Sequence, residues 1–401
     1  MNRYILVPAW DEAEVIGPML RHLTATLAGE RFDVFVGVYP NDPQTRSAAA
    51  AVPDGRVRIV TVDNPGPTTK ADCLNGLWRE MVASEATLGA PYKGIVLHDA
   101  EDVVHRDELA IFDHLLPRKT MVQLPVVPIL DNGPQWVGGT YADEFAENHG
   151  KNLIVREFLG AALPSAGVAC CFERGAIGDV AASRKGAPFD PASLTEDYEL
   201  GIRISRRGKG AFVRLPSANG GEAVSTREHF PADFDAALKQ RTRWLVGIAY
   251  QGWDRLRWDG SLADKYMFLR DRKALASAPV ILFAYLGLAL GVLCMSLREV
   301  VPEFSHFPPI AEQGSLLLGL LTITSVALVW RTAIRVAFTW SQHGAVQGLL
   351  SIPRSVVSNA ISMATAARAA GIWMQLIIRR KPLVWHKTRH RFPADDALCG
   401  P

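Results

Sequence analysis

The sequence is short of cysteine and of net charge, and it carries no low-complexity stretch. Its five cysteines, Cys73, Cys170, Cys171, Cys294 and Cys399, are scattered through 401 residues, an odd count with no CxxC pair. That spacing excludes a disulfide-stapled secreted scaffold and a zinc-ribbon site. Cys170 and Cys171 are neighbours, poorly placed to bond each other, so reduced thiols are expected. The formal net charge is only +2, which argues against a nucleic-acid binder relying on bulk positive charge. No internal repeat or flexible linker interrupts the chain. The opening MNRYILVPAWDEAEVIG runs from a short apolar stretch into acids, so it reads as neither a signal peptide nor a membrane anchor.

Hydrophobic residues are in excess, at 48%, and the excess sits late in the chain. Residues 276–297 carry no charge, over a span long enough to cross a hydrocarbon core, which takes about 20 residues. A second uncharged run, 314–330, continues into Arg331. Joined by a short proline-containing loop, the two runs predict a transmembrane hairpin. Arg270, Arg272 and Lys273 precede the first run, Arg331 and Arg335 follow the second, and the connection holds only Arg298. The positive-inside rule then places both ends of the hairpin, and the large N-terminal part, in the cytoplasm. Residues 345–378 are apolar but interrupted by Pro353, Arg354, Asn359 and Arg368. A third crossing would put Arg379, Arg380, Lys381, Lys387, Arg389 and Arg391 outside. An amphipathic helix lying in the interface avoids that conflict, and the basic tail suits an anionic lipid surface. The expected organisation is a cytosolic domain over 1–270, the hairpin over 271–340, and interfacial helices with a basic tail over 341–401.

The cytosolic part alternates strand and helix patterns. YILVPAW, FDVFVGVYP, RVRIVTV and GIVLHDAED are short apolar runs, separated by helical patterns and by the Gly/Pro turn that opens 64-NPGPTTKADCLNGLWREMV. This rhythm predicts an α/β domain with a mostly parallel sheet covered by helices. In such sheets ligands bind beyond the carboxyl ends of the strands. The polar clusters Asp11–Glu14, Asn41–Asp42, Asn64–Lys70 and His98–Asp102 fall at those ends, so one shared rim is expected.

Three motifs on or beyond that rim can carry chemistry. In 98-HDAED-102 the carboxylates of Asp99, Glu101 and Asp102 repel one another unless a cation sits among them, and a hard divalent ion accepts a few carboxylates together with phosphate oxygens. An acidic strand-end loop alone also describes a solvated turn. In 194-LTEDYELG, Thr195 is placed to cap a helix whose first turn holds Glu196 and Asp197. Acids are ordinary there because of the helix dipole, but Asp197 is also placed to act as a general base aimed at the rim. In 240-QRTRW-244, Trp244 and the arginines would suit a helix docking at the membrane. The alternative gives Arg243 a diphosphate to hold, Trp244 an acceptor to stack on, and Gln240 a hydrogen-bonding role.

The order of these motifs, an acidic strand end, then TED, then QxxRW, then membrane helices, resembles family 2 glycosyltransferases of the cellulose-synthase and chitin/hyaluronan-synthase type. The stretches 148-NHGKNLIVREFLG-160, 194-LTEDYELGIRISRRGKG-210, 226-TREHFP-231 and 265-KYMFLRDRK-273 are similar, more narrowly, to the bacterial phage N4 adsorption protein B family. The resemblance covers most of the chain, to about Pro393. It implies a GT-A fold, Rossmann-like, and a nucleotide-diphosphate sugar, a UDP sugar, bound with Mg²⁺ or Mn²⁺. It assigns the metal to Asp99, Glu101 and Asp102 and the nucleotide sugar to these together with Asp42, Lys70 and Asp72. Asp197 becomes the base of an inverting transfer. Gln240, Arg243, Trp244, Thr195 and Glu196 fall beside the diphosphate and acceptor.

The implied protein is a multi-pass enzyme of the bacterial inner membrane, with its catalytic domain cytoplasmic and a lipid or polysaccharide acceptor, serving exopolysaccharide or surface-glycan synthesis. Two helices are few for a translocation channel, so an export partner or a second copy is expected to complete one. N-terminal membrane helices and a cyclic-di-GMP-binding regulatory domain, common among such enzymes, are expected to be absent. Two other readings compete. A non-catalytic component of a surface-glycan or phage-receptor assembly predicts no nucleotide release, and the intact motifs speak against it. A sugar-nucleotide pyrophosphorylase needs no membrane hairpin, so the apolar runs speak against that.

Overall fold

In a computed structural model the described residues are 3–131, 133–217, 223–301, 311–379 and 390–393. The first four apolar runs form β1 (Arg3–Pro8), β2 (Phe32–Val38), β3 (Val57–Thr61) and β4 (Gly94–Leu97). They are followed by β5 (Met121–Gln123), β6 (Val126–Pro128), β7 (Cys170–Glu173), β8 (Gly210–Phe212) and β9 (Thr226–Glu228). Seven of them make one sheet in the order β3-β2-β1-β4-β7-β5-β8, and β6 pairs with β9 in a second, two-stranded sheet. Neighbours pair in parallel except for β7, which runs antiparallel to both β4 and β5.

The strands read as continuous apolar runs because helices cover both faces. Successive side chains alternate between two cores. Ile5, Val7, Val34, Val36 and Val96 enter one core with Met19 and Leu20. Tyr4, Leu6, Phe35, Ile95 and Leu97 enter the other with Leu74 and Trp78. The same alternation divides the adjacent cysteines, Cys170 to the second core and Cys171 to the first. Both are free, as are Cys73 and Cys294; Cys399 lies outside the described residues.

The polar clusters fall at the strand ends as the pattern requires. The turn after β1 carries Trp10, Asp11 and Glu12, and the loop after β4 carries Asp99 and Glu101. The helix Lys70–Leu88 begins at a Thr69 cap, whose side chain accepts from the Asp72 amide, and ends at Gly89 in the left-handed region, φ 68°.

Beyond the sheet, the helix Ala274–Val300 is followed by a helical segment spanning Leu316–Arg379. Both are long and apolar enough to cross a membrane, with mean hydropathies of 2.4 and 1.7 over their most apolar stretches. The second does not stop near residue 330. It runs on through Arg331 and Arg335 and breaks at Gly344, where φ is 82° and ψ 170°. The part after the break lies against the helices Gly138–Glu147 and Phe234–Leu245. Its Arg354, fully buried, pairs with Asp143 at 2.8 Å, and Ser358 donates to Glu144 at 3.0 Å. Asn359 donates to the Tyr285 hydroxyl of the helix Ala274–Val300 at 3.1 Å. Arg380, Lys381, Lys387 and Arg389, expected on a lipid-facing tail, lie outside the described residues.

Candidate active site

A cavity of about 690 Å³ opens at the carboxyl ends of β1 and β4. Lys70, Asp99, Glu101, Thr195, Glu196, Asp197, Gln240, Arg243 and Trp244 all line it, so residues spread over 174 positions of sequence meet at one place.

Lys70 stands at the hub. It is the first residue of its helix, where a cation opposes the dipole. Its ammonium lies 2.5 Å from Asp99 Oδ1 and donates to the Gly167 carbonyl at 3.5 Å. Burial alone would lower its pKa, but the charges of Asp99, Asp197 and Glu196 outweigh burial and raise it. Lys70 is therefore a permanent cation among carboxylates.

Asp197 sits in the first turn of the helix Glu196–Ser205, half-buried, with its Oδ1 accepting from the Tyr198 amide at 2.7 Å. Its other oxygen lies against Gly167, which has φ +80°; a Cβ there would stand 2.2 Å from Asp197 Oδ2. Burial raises the Asp197 carboxyl above its usual range, while Lys70 and Arg243 pull it back. Glu196 is pushed up to about 7, first by burial and then by the charge of Asp197. Thr195 occupies the N-cap position without a side-chain capping bond. Its side chain packs on Gly247, where a Cβ would stand 2.4 Å from Oγ1.

On the helix Phe234–Leu245 the spacing 240, 243, 244 puts three side chains on one face, and that face looks into the cavity. Gln240 Oε1 and Arg243 Nε are buried there without hydrogen-bond partners. Trp244 packs edge-on against Tyr141, with ring centroids 5.9 Å apart, and beside Phe230 and Phe145. Arg241 is not among the lining residues. It pairs with Glu144 at 2.7 Å and stacks over Tyr141 at 4.3 Å, so it holds the helix in place. The helix then widens into a π-helical turn, Val246–Gln251, a feature frequent at functional sites.

Three expected ligands are placed elsewhere. Asp102 is fully buried, accepting from its neighbour's amide, Asp99 N–H, at 3.0 Å and paired with His98 Nδ1 at 2.7 Å. His98 is in turn bonded to Glu108 at 2.8 Å. The turn after β4 sends Asp102 inward and leaves Asp99 and Glu101 at the cavity. Asp42 caps the helix Pro43–Ala50 through the Thr45 amide and accepts from the Asp11 amide at 2.6 Å. Its work is to hold the turn that carries Glu12. Asp72 meets Asn64 Nδ2 at 3.3 Å on the exposed side of its helix. None of the three lines the cavity.

Other lining residues were not singled out as ligands in the sequence. Glu12 follows Asp11, which adopts φ 55°; Asp tolerates the left-handed region better than most residues. Glu228 closes β9, and burial with the charges of Asp102, Glu101 and Asp99 holds it well above the usual carboxylate range. His390 reaches the cavity from the far end of the chain. Trp10 packs edge-on to Tyr39, centroids 5.0 Å apart, and both line the cavity. The TREH stretch around Glu228 lay in sight as a resemblance and Glu12 fell within the rim cluster Asp11–Glu14, but nothing local marked His390.

The donor chemistry fits a divalent cation. Glu12, Asp99, Glu101 and Glu228 bring carboxylates to one wall, and the buried Glu101 Oε2 accepts no hydrogen bond. His390 Nδ1 lies 3.3 Å from it, and several carboxylates gathered in a buried place suit a hard divalent ion.

Comparison with known proteins bears on the family and the fold. The chain is 37% identical over 410 residues to bacteriophage adsorption protein B of Escherichia coli strain K12, covering 97% of this chain and 55% of that protein. The match to bacteriophage N4 adsorption protein B of Escherichia coli O157:H7 has the same extent. The chain thus spans about half the length of these relatives, 55%. Among solved structures, a Pyrobaculum calidifontis mannosyltransferase in complex with GDP-Man and Mn²⁺ superposes with a TM-score of 0.56 at 19% identity, over 93% of this chain and 87% of that one. That likeness is one of fold, and the fold is of the GT-A type. The sequence pattern of glycosyltransferase like family 2 matches residues 2–247, and the chain belongs to that family.

Proposed function

We propose that this chain is an inverting glycosyltransferase that moves a sugar from a nucleotide diphosphate, a UDP sugar, to a lipid or polysaccharide acceptor. The reaction takes place at the cytoplasmic face of a bacterial inner membrane, and its product enters a surface glycan. The observation that carries this reading is the convergence of Lys70, Asp99, Glu101, Asp197, Gln240, Arg243 and Trp244 on one cavity. A cavity of about 690 Å³ suits a nucleotide sugar.

Trp10, braced edge-on by Tyr39, offers an aromatic surface for the base. Lys70 and Arg243 bring fixed positive charge to the diphosphate, stabilising the negative charge that grows there as the glycosidic bond breaks. Glu101 and the carboxylates beside it would hold Mg²⁺ or Mn²⁺, which when bound would add to the neutralisation of that leaving group. Asp197, its carboxyl raised by burial, accepts the proton of the attacking hydroxyl. Trp244 and Gln240 orient the acceptor at the side facing the membrane helices. Direct in-line attack with one base inverts the anomeric centre. The runs Ala274–Val300 and 316–343 anchor the domain beside the bilayer, where a lipid-borne acceptor is delivered.

The test is a nucleotide-release screen over UDP and GDP sugars, with purified protein in lipid nanodiscs and with or without Mn²⁺. Metal-dependent release from one donor is expected. Asp197→Asn should reduce it by at least about 10²-fold while donor binding persists. Absence of release from every donor, with lipid and polysaccharide acceptors supplied, would favour a non-catalytic assembly component.

A further inference from the structure

The described chain returns to the catalytic domain after the membrane segments. Three contacts hold residues 390–393 there. Arg391 pairs with Asp131. Phe392 packs against the first core and lies 6.0 Å from the His22 ring. Pro393 is buried. Between these anchors and the cavity stands His390. Its Nδ1 lies 2.7 Å from Glu12 Oε1 and 3.3 Å from Glu101 Oε2.

We propose that Glu12, Glu101 and His390 together form the cation site of this cavity, and that the C-terminal segment supplies its imidazole ligand. The proposal rests on the glycosyltransferase reading for the purpose of the cation, but not for its existence. One ligand atom from each of the three residues lies within 4.8 Å of the others. Two ligands opposite each other across a six-coordinate ion of this class stand about 4.2 Å apart, given metal–ligand bonds of about 2.1 Å. The three atoms therefore converge on one ion with small side-chain movement. Glu101 is only 4% exposed and its Oε2 accepts no hydrogen bond; it meets only the ion-pair contact of His390 Nδ1 at 3.3 Å, the atom that an ion would join to it. Asp99 is less suited, since Lys70 occupies its Oδ1 at 2.5 Å, and Asp102 faces inward.

The ligand set has consequences. Two carboxylates alone favour no particular hard cation, but an added imidazole favours Mn²⁺ and other transition ions over Mg²⁺. His390 also lies far in sequence from both carboxylates, so cation binding stabilises the docked position of residues 390–393. The competing account makes His390 an imidazolium that only pairs with the two carboxylates. In that case a metal ion would displace it and carry no nitrogen ligand.

Electron spin-echo spectroscopy of the full chain loaded with Mn²⁺ in nanodiscs separates the two. The ¹⁴N modulation of a bound imidazole is expected in the wild type and should vanish in His390→Ala. Titration calorimetry with MnCl₂ and MgCl₂ should show His390→Ala weakening Mn²⁺ by at least about tenfold, the scale on which even outer-shell partners act, while Mg²⁺ changes less. Glu101→Gln should weaken both ions, and thermal melting checks that each variant is folded. Absence of nitrogen modulation in the wild type, its persistence in His390→Ala, or unchanged Mn²⁺ affinity would overturn the proposal. Nitrogen coupling without sugar transfer would sink only the enzymatic reading, and transfer without nitrogen coupling only this one.

Discussion

Gly167→Ala tests whether Asp197 acts through its position. Gly167 has φ +80°, and an added Cβ would stand 2.2 Å from Asp197 Oδ2. Ordinary contact begins at 3.4 Å, so the oxygen must retreat by 3.4 − 2.2 = 1.2 Å. The carboxylate can do this only by rotating, which also disturbs its 2.7 Å bond from the Tyr198 amide. A displacement of about 1 Å at a reacting group costs roughly 10²-fold in rate. The left-handed backbone adds about 1–2 kcal/mol of instability for a residue with a Cβ. Gly186→Ala is the control: its φ is +90° and a Cβ there would meet nothing within 4 Å. Both variants should lose similar stability in thermal unfolding. Only Gly167→Ala should lose turnover by about 10²-fold in nucleotide release, with donor affinity changed little. Turnover within a factor of about two of wild type, in a folded Gly167→Ala protein, would refute the assignment of Asp197 as a base held in place by this glycine.

The other predictions concern charge. Burial raises the Asp197 carboxyl, so the fall in turnover on acidification, as the base takes up its proton, should begin at a higher pH than an ordinary carboxylate would give. Lys70 pulls Asp197 down, so in Lys70→Met the acid limb of the kcat/KM profile should move to higher pH; an unmoved or lowered limb would contradict the role given to Lys70. Arg354→Ala leaves Asp143 buried and unpaired beneath the segment after Gly344, where the two are 0% and 2% exposed. Stability should fall by about 3–5 kcal/mol in denaturant unfolding, and a loss under about 1 kcal/mol would show that the pair does not fasten the helix.

Much of the framework was legible in residue order. Period-two runs with apolar residues on both faces demanded a covered, mostly parallel sheet, and its strand ends had to carry the polar clusters. The spacing of Gln240, Arg243 and Trp244 placed them on one helical face, and the charge-free run 276–297 was long enough to cross a bilayer. These features follow from local geometry, which repeats every two or 3.6 residues. The sequence could not say which acid of 98-HDAED-102 turns outward, because one residue's shift in a turn reverses its direction. Only the folded chain put Asp102 under His98 and left Glu101 in the cavity. Nor did any local signal link Glu12 to His390, since 378 positions separate them. Contacts of that separation are set by how the sheet, the helices and the returning chain pack in three dimensions.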